Sequence, residues 1–223
     1  DVAVVGAGLT GLSAALHLAR RGASVAVLER DTVALGASGR NGGMATTGLA
    51  IGFRDAIARY GFPTASALYL KYNEAIDAIE QLVNEEAIDC DFERSGKMNL
   101  ACKPSHFDGL QKTAEVLAER LGYDTIVVPK SDLSTEIAGD FYHGAMVDPK
   151  GAGLHVGKFT RGLGEAAARA GVQIHERAGV EKVSRQRSEE RRVGKECRSR
   201  WAAGQYKKKT QERTVSRHIE ELG

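Results

Sequence analysis

Three glycines and one acid at fixed spacing are the residues best placed to do chemistry in this sequence. Gly6, Gly8 and Gly11 form a Gly-x-Gly-x-x-Gly turn between the apolar run Val2-Ala3-Val4-Val5 and the helix-forming stretch Leu12-Ser13-Ala14-Ala15-Leu16. A second apolar run, Val25 to Leu28, then ends in Glu29. Strand, glycine turn, helix, strand and acid in this order suit the phosphates and ribose of a dinucleotide. Gly6 permits the tight turn, Gly8 a close backbone approach to a pyrophosphate, and Gly11 close packing of helix on strand. The amide N–H groups and the positive dipole end of the helix face the phosphates. Glu29 is expected to accept hydrogen bonds from ribose hydroxyls, and its charge disfavours a 2′-phosphate and hence NADP.

A second cradle follows at Gly36-Ala-Ser38-Gly39-Arg40-Asn41-Gly42-Gly43, where four glycines, short polar side chains and one fixed positive charge can present a concave nest of N–H groups. The bland reading is a surface loop.

Several elements must position these residues. Leu68, Tyr72, Ala75, Ile76, Ile79, Leu82 and Val83 recur at three- and four-residue steps, predicting a long helix from Thr64 to Glu86. Tyr69 and Tyr72 on it suit core packing better than a pocket wall. Ile88, Cys90 and Phe92 alternate with acids as on a half-buried strand, with Lys97 to Cys102 as its expected hairpin partner and a packing role for Cys90. Ser105 is the expected cap of a helix ending at Leu121 before Gly122. Thr125–Val128 reads as a strand, Lys130–Ile137 as a short helix and Gly144–Val147 as a strand before the Pro149-Lys-Gly151 turn. A helix over Gly157–Ala170, a strand at Val172–Ile174 and a further strand opening at Val180 follow.

The 223 residues, 42% hydrophobic, suffice for one large or two small units with a core. No apolar run reaches the length of a membrane span. Asp1 opens directly into a strand without an initiator Met, so the expectation is a truncated start with any targeting segment lost. Three well-separated cysteines, Cys90, Cys102 and Cys197, favour neither a disulfide framework nor a zinc knuckle, and a cytoplasmic setting is the default. The six histidines show no metal spacing; His143 and His155 read as structural. No nucleophile arrangement is visible, so no catalytic residue is assigned.

The motifs at 6–11, 29 and 36–43 resemble those of FAD-dependent oxidoreductases of the D-amino-acid oxidase type, including the γ-glutamylputrescine oxidase-like and glycine oxidase-like members. The resemblance continues through Ile88–Phe92, Tyr142–Asp148 and Gly153–Lys158 and covers most of residues 1–186. It implies an α/β fold: a Rossmann-like FAD-binding domain of the GR2 type, made discontinuously from 1–50 and 151–186, with an inserted α+β substrate-side region at 51–150, and truncated. It further implies FAD as cofactor, held by Gly6, Gly8, Gly11, Glu29, Ser38, Gly39, Arg40, Asn41, Gly42 and the backbone of Val180. Met44, where a polar residue is usual, and Val156, where Pro is usual, depart from the pattern. The implied reaction is oxidation of a primary or secondary amine or amino acid to an imine, with hydride transfer to flavin N5 and electrons passed to oxygen or a carrier. As the second half of such proteins is missing, the fragment is expected to be inactive alone. An NAD-linked dehydrogenase and a protein that keeps FAD only structurally are the alternatives.

From Arg187 the texture changes. Residues 187–223 carry eleven Lys/Arg against six Asp/Glu, which leaves the body of this net +2 chain slightly acidic. Arg187 to Trp201 resembles the translation of a short-read sequencing adaptor, so residues 187–223 are expected to be a non-native, disordered tail. The competing reading is a nucleic-acid-binding arm using Lys207–Lys209, Tyr206 and Trp201. The expected partners of the body are a small amine or amino acid and an electron acceptor, not nucleic acid.

Overall fold

A computed structural model describes residues 1–183. The tail expected to be non-native, at 187–223, lies outside the described residues, as do residues 184–186. In chain order the elements are β1 (Val2–Val5), α1 (Leu9–Ala19), β2 (Val25–Leu28), a 3₁₀ turn (Ala37–Gly39), β3 (Met44–Ala45), α2 (Phe53–Tyr60), α3 (Phe62–Glu85), β4 (Lys97–Leu100), α4 (Pro104–Leu121), β5 (Ile126–Pro129), a second 3₁₀ turn (Leu133–Thr135), β6 (Gly144–Asp148), β7 (Ala152–Gly153), α5 (Val156–Arg169) and β8 (Gln173–His175). No helix among them is long and apolar enough to cross a membrane.

The first sheet is parallel, in the order β1-β2-β8. Val2 pairs with Val25 and Val5 with Leu28, while Ala26 pairs with Gln173 and Leu28 with His175. Parallel strands need a crossover, and α1 supplies the one between β1 and β2. Leu12, Ala15 and Leu16, at three- and four-residue spacing, are wholly buried, and Phe159, Leu163, Ala166 and Ala167 of α5 meet them in the main core. A second, antiparallel sheet runs β4-β6-β5. It is covered by its own small core of Val128, Leu133 and Ala145, and a further cluster joins Phe53 of α2, Tyr69 of α3, Leu117 of α4 and Tyr123 just past α4. The two-stranded pair β3–β7 ties the glycine-rich loop to the segment that enters α5.

The elements depart from the sequence reading in several places. Residues 88–92 form no strand, and β4 pairs with β6 instead. Alternation there still buries Ile88 and Cys90, because an extended segment packed on α5 alternates as a strand does. Burial also raises the Cys90 thiol pKa, consistent with packing rather than reactivity. Residues 130–137 hold only the second 3₁₀ turn, 180–183 form no strand, and α2 carries no signal strong enough to be read in advance. Lys103, not Ser105, precedes α4, whose first turn instead contains Pro104. On α3 the buried face is Ala65, Ser66, Tyr69, Asn73 and Ile76, while Leu68 and Tyr72 are exposed. Ile76 and Leu82 are buried, with Ile79 and Val83 packed beside them, as the period predicts, so only the first half of the stripe is displaced by about one residue, where two polar side chains lie on the inward face.

Glu86 fastens three elements. Arg20, just past α1, reaches it at 2.6 Å and Arg169, ending α5, at 2.8 Å. Hydrogen bonds from Arg169 and then Arg20 hold the Glu86 carboxyl below its usual range. A carboxylate whose folded pKa is depressed contributes its stability above the unfolded value and loses it as pH falls through the folded one. Glu86→Gln is therefore expected to lower stability by about 0.5–1 kcal/mol at neutral pH. The difference should begin to shrink as pH falls below the unfolded carboxyl range and vanish only below the depressed folded pKa of Glu86, as denaturant melts repeated across that interval would show.

Candidate functional site

The turn after β1 is built by contacts from four separate stretches. Gly6 adopts φ +97°, a conformation that suits glycine, and sends the chain from β1 toward α1. A Cβ on Gly11 would fall inside the van der Waals envelope of the Gly6 carbonyl oxygen and 3.3 Å from Val4 Cγ1. A side chain at Gly11 would push α1 away from the turn, whereas at Gly6, where no atom lies within 4 Å of a Cβ, the cost is the left-handed φ alone. Gly8 is extended and supplies no capping side chain, and the first turn of α1 holds no acid. Among the described residues only the Leu9 N–H of this first turn is engaged, by Ser38, and the positive dipole end of the helix faces the space beyond Gly8.

Glu29 closes on this turn from the tip of β2. The Ala7 N–H donates to Glu29 Oε2 at 2.6 Å and the Asp31 N–H to Oε1 at 2.9 Å. Each carboxylate oxygen keeps further lone pairs for an incoming hydroxyl. Ser38 closes on it from the 3₁₀ turn, where its Oγ accepts from the Leu9 N–H at 3.2 Å. Thr160 Oγ1 of α5 shares its one proton between the Val156 carbonyl of its own helix at 2.8 Å and the Ser38 carbonyl at 3.0 Å, and so sets α5 behind the loop. Gly39 lies in the same turn, packed too tightly against the Ala34 carbonyl for a Cβ to fit.

Arg40, Asn41 and Gly42 continue the loop at the surface. The Gly43 N–H donates to Asn41 Oδ1, and Asn41 Nδ2 donates to the Ala37 carbonyl, so Asn41 holds the loop's own curvature. Met44, the departure from the family pattern, is 77% exposed. At the opposite end, Arg177 and Ala178 donate backbone bonds to the carbonyls of Asp31 and Glu29. Gly179 rests on the stem of Arg30, and half-buried Val180 follows. The ten sequence-selected residues therefore fall into three groups: Gly6, Gly8, Gly11, Glu29 and Ser38 share one hydrogen-bonded turn, Gly39 to Gly42 extend from it, and Val180 follows Gly179, the residue that packs on Arg30.

Two features went unread in the sequence. Thr160, wholly buried, carries no local signal because its role depends on the loop packed against it. The other is a buried trio in which Tyr69 and Tyr123 donate to Asp148 at 2.9 and 2.6 Å, with the Lys150 N–H at 3.1 Å. Burial first, and then Asp148, push both phenol pKa values up, so both hydroxyls remain donors throughout the physiological range. The Asp148-Pro-Lys-Gly turn was the only hint. His155 caps α5 by accepting from the Lys158 N–H at 3.3 Å, in keeping with a structural imidazole.

The profile of the family described as FAD dependent oxidoreductase (DAO) matches residues 1–209. A probable oxidoreductase, OrdL, of Haemophilus influenzae is 36% identical over 181 residues, 81% of this chain and 42% of that protein. The gamma-glutamylputrescine oxidoreductase of Escherichia coli is 33% identical over 184 residues, 82% of this chain and 43% of its own length. The chain thus spans under half the length of these curated relatives. Glycine oxidase from Geobacillus kaustophilus superposes with a TM-score of 0.67 at 25% identity, covering 81% of this chain and 47% of that one.

Proposed function

Since this chain belongs to the FAD dependent oxidoreductase family, we propose that it is the nucleotide-binding part of an enzyme that oxidises the C–N bond of a primary or secondary amine or an amino acid to an imine. Residues 1–50 and 151–186 form the FAD-holding unit and 51–150 the substrate-side region. The observation that carries this reading is the convergence of the Ala7 N–H on Glu29 and the Leu9 N–H on Ser38, across 22 and 29 residues of sequence, at the start of α1.

Gly6, Gly8 and Gly11 let the pyrophosphate approach the backbone and the opening of α1. Glu29, already oriented by two N–H groups, accepts from the ribose hydroxyls. Ser38, Gly39, Arg40, Asn41 and Gly42 line the ribityl and ring end, and the backbone of Val180 meets the adenine. When bound, FAD supplies the hydride acceptor, and oxygen or an electron carrier takes the electrons onward. The chain's own share is to hold and orient the cofactor; a fragment of this extent is inactive on its own. The names of a gamma-glutamylputrescine oxidoreductase and a glycine oxidase among its relatives support an amine or amino acid as substrate.

The test is an absorbance spectrum of the purified full-length protein, followed anaerobically with a panel of primary and secondary amines and amino acids. Flavin bands that bleach with one of them support the reading; a colourless protein that takes up NAD but not FAD sinks it. Glu29→Ala removes the acceptor from two backbone N–H groups as well as from the ribose. Its expected effect is a loss in FAD affinity on the order of 10- to 100-fold, read by fluorescence titration of apoprotein.

A further inference from the structure

We propose that Thr160 is a positioning residue for FAD: its hydroxyl, bonded to the Ser38 carbonyl, keeps the 36–43 loop in the shape that the cofactor requires. The role rests on the FAD reading above and deepens it by making affinity depend on a residue outside the sequence motifs.

The 3₁₀ turn at Ala37–Gly39 has little of its own to hold it in place. None of its three residues is buried, and no side chain caps it. The Gly39 N–H bonds to the Gly36 carbonyl and the Arg40 N–H to the Ala37 carbonyl, which gives the turn its curvature without fixing it to the body. Its position is set from outside, at Ser38. The Leu9 N–H of α1 takes the Ser38 side chain at 3.2 Å, and Thr160 Oγ1 takes the main-chain carbonyl at 3.0 Å, from 122 residues away.

The face that α5 turns to the loop is shaped for close approach. Gly157, Thr160 and Gly164 follow one another at three- and four-residue spacing and so share that face. A Cβ on Gly157 would lie 3.3 Å from the Gly39 carbonyl oxygen, and one on Gly164 would lie 3.2 Å from Val33 Cγ1. Between them stands Thr160, wholly buried. Its β-branched side chain has few rotamers, and the bond to the Val156 carbonyl at 2.8 Å selects the one that also aims the hydroxyl at Ser38. The Ser38 carbonyl and the Gly39 N–H belong to one rigid peptide plane, so a bond to the first orients the second, which closes the turn.

Without the hydroxyl, the Ser38 carbonyl turns to water and the loop leaves its place. The apoprotein loses little, because the turn buries no side chain. FAD must then re-order the loop as it binds, and the loss falls on affinity.

The test is fluorescence titration of the full-length apoprotein with FAD, beside a thermal melt of each apoprotein. Thr160→Val keeps the shape and removes the hydroxyl; its FAD affinity is expected to fall about fivefold or more. Its apoprotein midpoint should stay within about 2 °C of the parent. Thr160→Ser keeps the hydroxyl and should bring affinity back to within about twofold of the parent. If Thr160→Val does not fold, Thr160→Ala against Thr160→Ser makes the same comparison in a smaller side chain. Parental FAD affinity in Thr160→Val overturns the proposal, and so does an equal loss in Thr160→Ser, which would assign the effect to the methyl. A lowered melt with unchanged affinity overturns it too, leaving the hydroxyl a contact of the fold alone. A parent that takes up no FAD removes the cofactor reading and this role together, whereas an FAD-binding parent indifferent to the hydroxyl removes only this role.

Discussion

Gly11→Ala is expected to strip FAD from the protein and to lower its melting temperature by roughly 5–10 °C. The added methyl meets the Gly6 carbonyl oxygen, a backbone atom that cannot rotate aside, and Val4 Cγ1 at 3.3 Å behind it. Relief requires α1 to shift as a body away from β1, against a face where Leu12, Ala15 and Leu16 are fully buried. Overpacking of this kind costs about 1–3 kcal/mol, which for a domain of this size corresponds to several degrees in the midpoint. Binding suffers more than stability, because the N–H groups that open α1 move with it and lose their aim at the pyrophosphate. Flavin absorbance after gel filtration, with a thermal melt of the same sample, reads both effects. Gly36→Ala is the control: no atom lies within 4 Å of its Cβ position, so it should keep FAD and stability alike. Stoichiometric FAD in Gly11→Ala would contradict the description of the turn.

Asp148→Ala is expected to destabilise the fold by about 3–5 kcal/mol. Two phenol hydroxyls, on residues 5% and 7% exposed, lose their acceptor together. Each buried donor left unsatisfied costs about 1–3 kcal/mol. The three rings around the carboxylate are mutually packed, Phe53 on Tyr69 and Tyr69 on Tyr123 with centroids 5.1 and 5.2 Å apart. A void at Asp148 therefore loosens the junction of α2, α3 and α4. Tyr69→Phe and Tyr123→Phe should each cost less, since either leaves Asp148 with one phenol and the Lys150 N–H. Denaturant unfolding at neutral pH checks the order, and an Asp148→Ala protein within 1 kcal/mol of the parent rules out the trio as a stabilising unit.

How legible each part was depended on how local its causes were. The turn at Gly6 to Gly11, the acid at Glu29 and the 36–43 loop were readable because each is a short run whose residue types answer a backbone requirement. The long α3 was readable for the same reason, as was the stop of α4 at Gly122, which takes the left-handed conformation expected of it. The buried face of the first half of α3 was not. Ser66 and Asn73 are turned inward by packing that no hydrophobic period announces, and Leu68 and Tyr72 turn outward in exchange. The β4–β6 pairing, the contact of Thr160 with Ser38 and the Asp148 trio all join residues far apart in sequence, where spacing says nothing about who meets whom.

The register that sets Ala26 beside Gln173 also has a consequence in time. β2 is finished early in synthesis, but its outer neighbour β8 is translated almost 150 residues later. At 5–20 residues per second that interval lasts on the order of ten seconds. Throughout it the tip of β2, including the Glu29 amide that will donate to His175, has no partner on that side. The intervening 51–150 region can meanwhile collect its own local contacts, so the parallel sheet closes last, when β8 emerges. A substitution that slows that region delays closure of the nucleotide site without touching any residue in it.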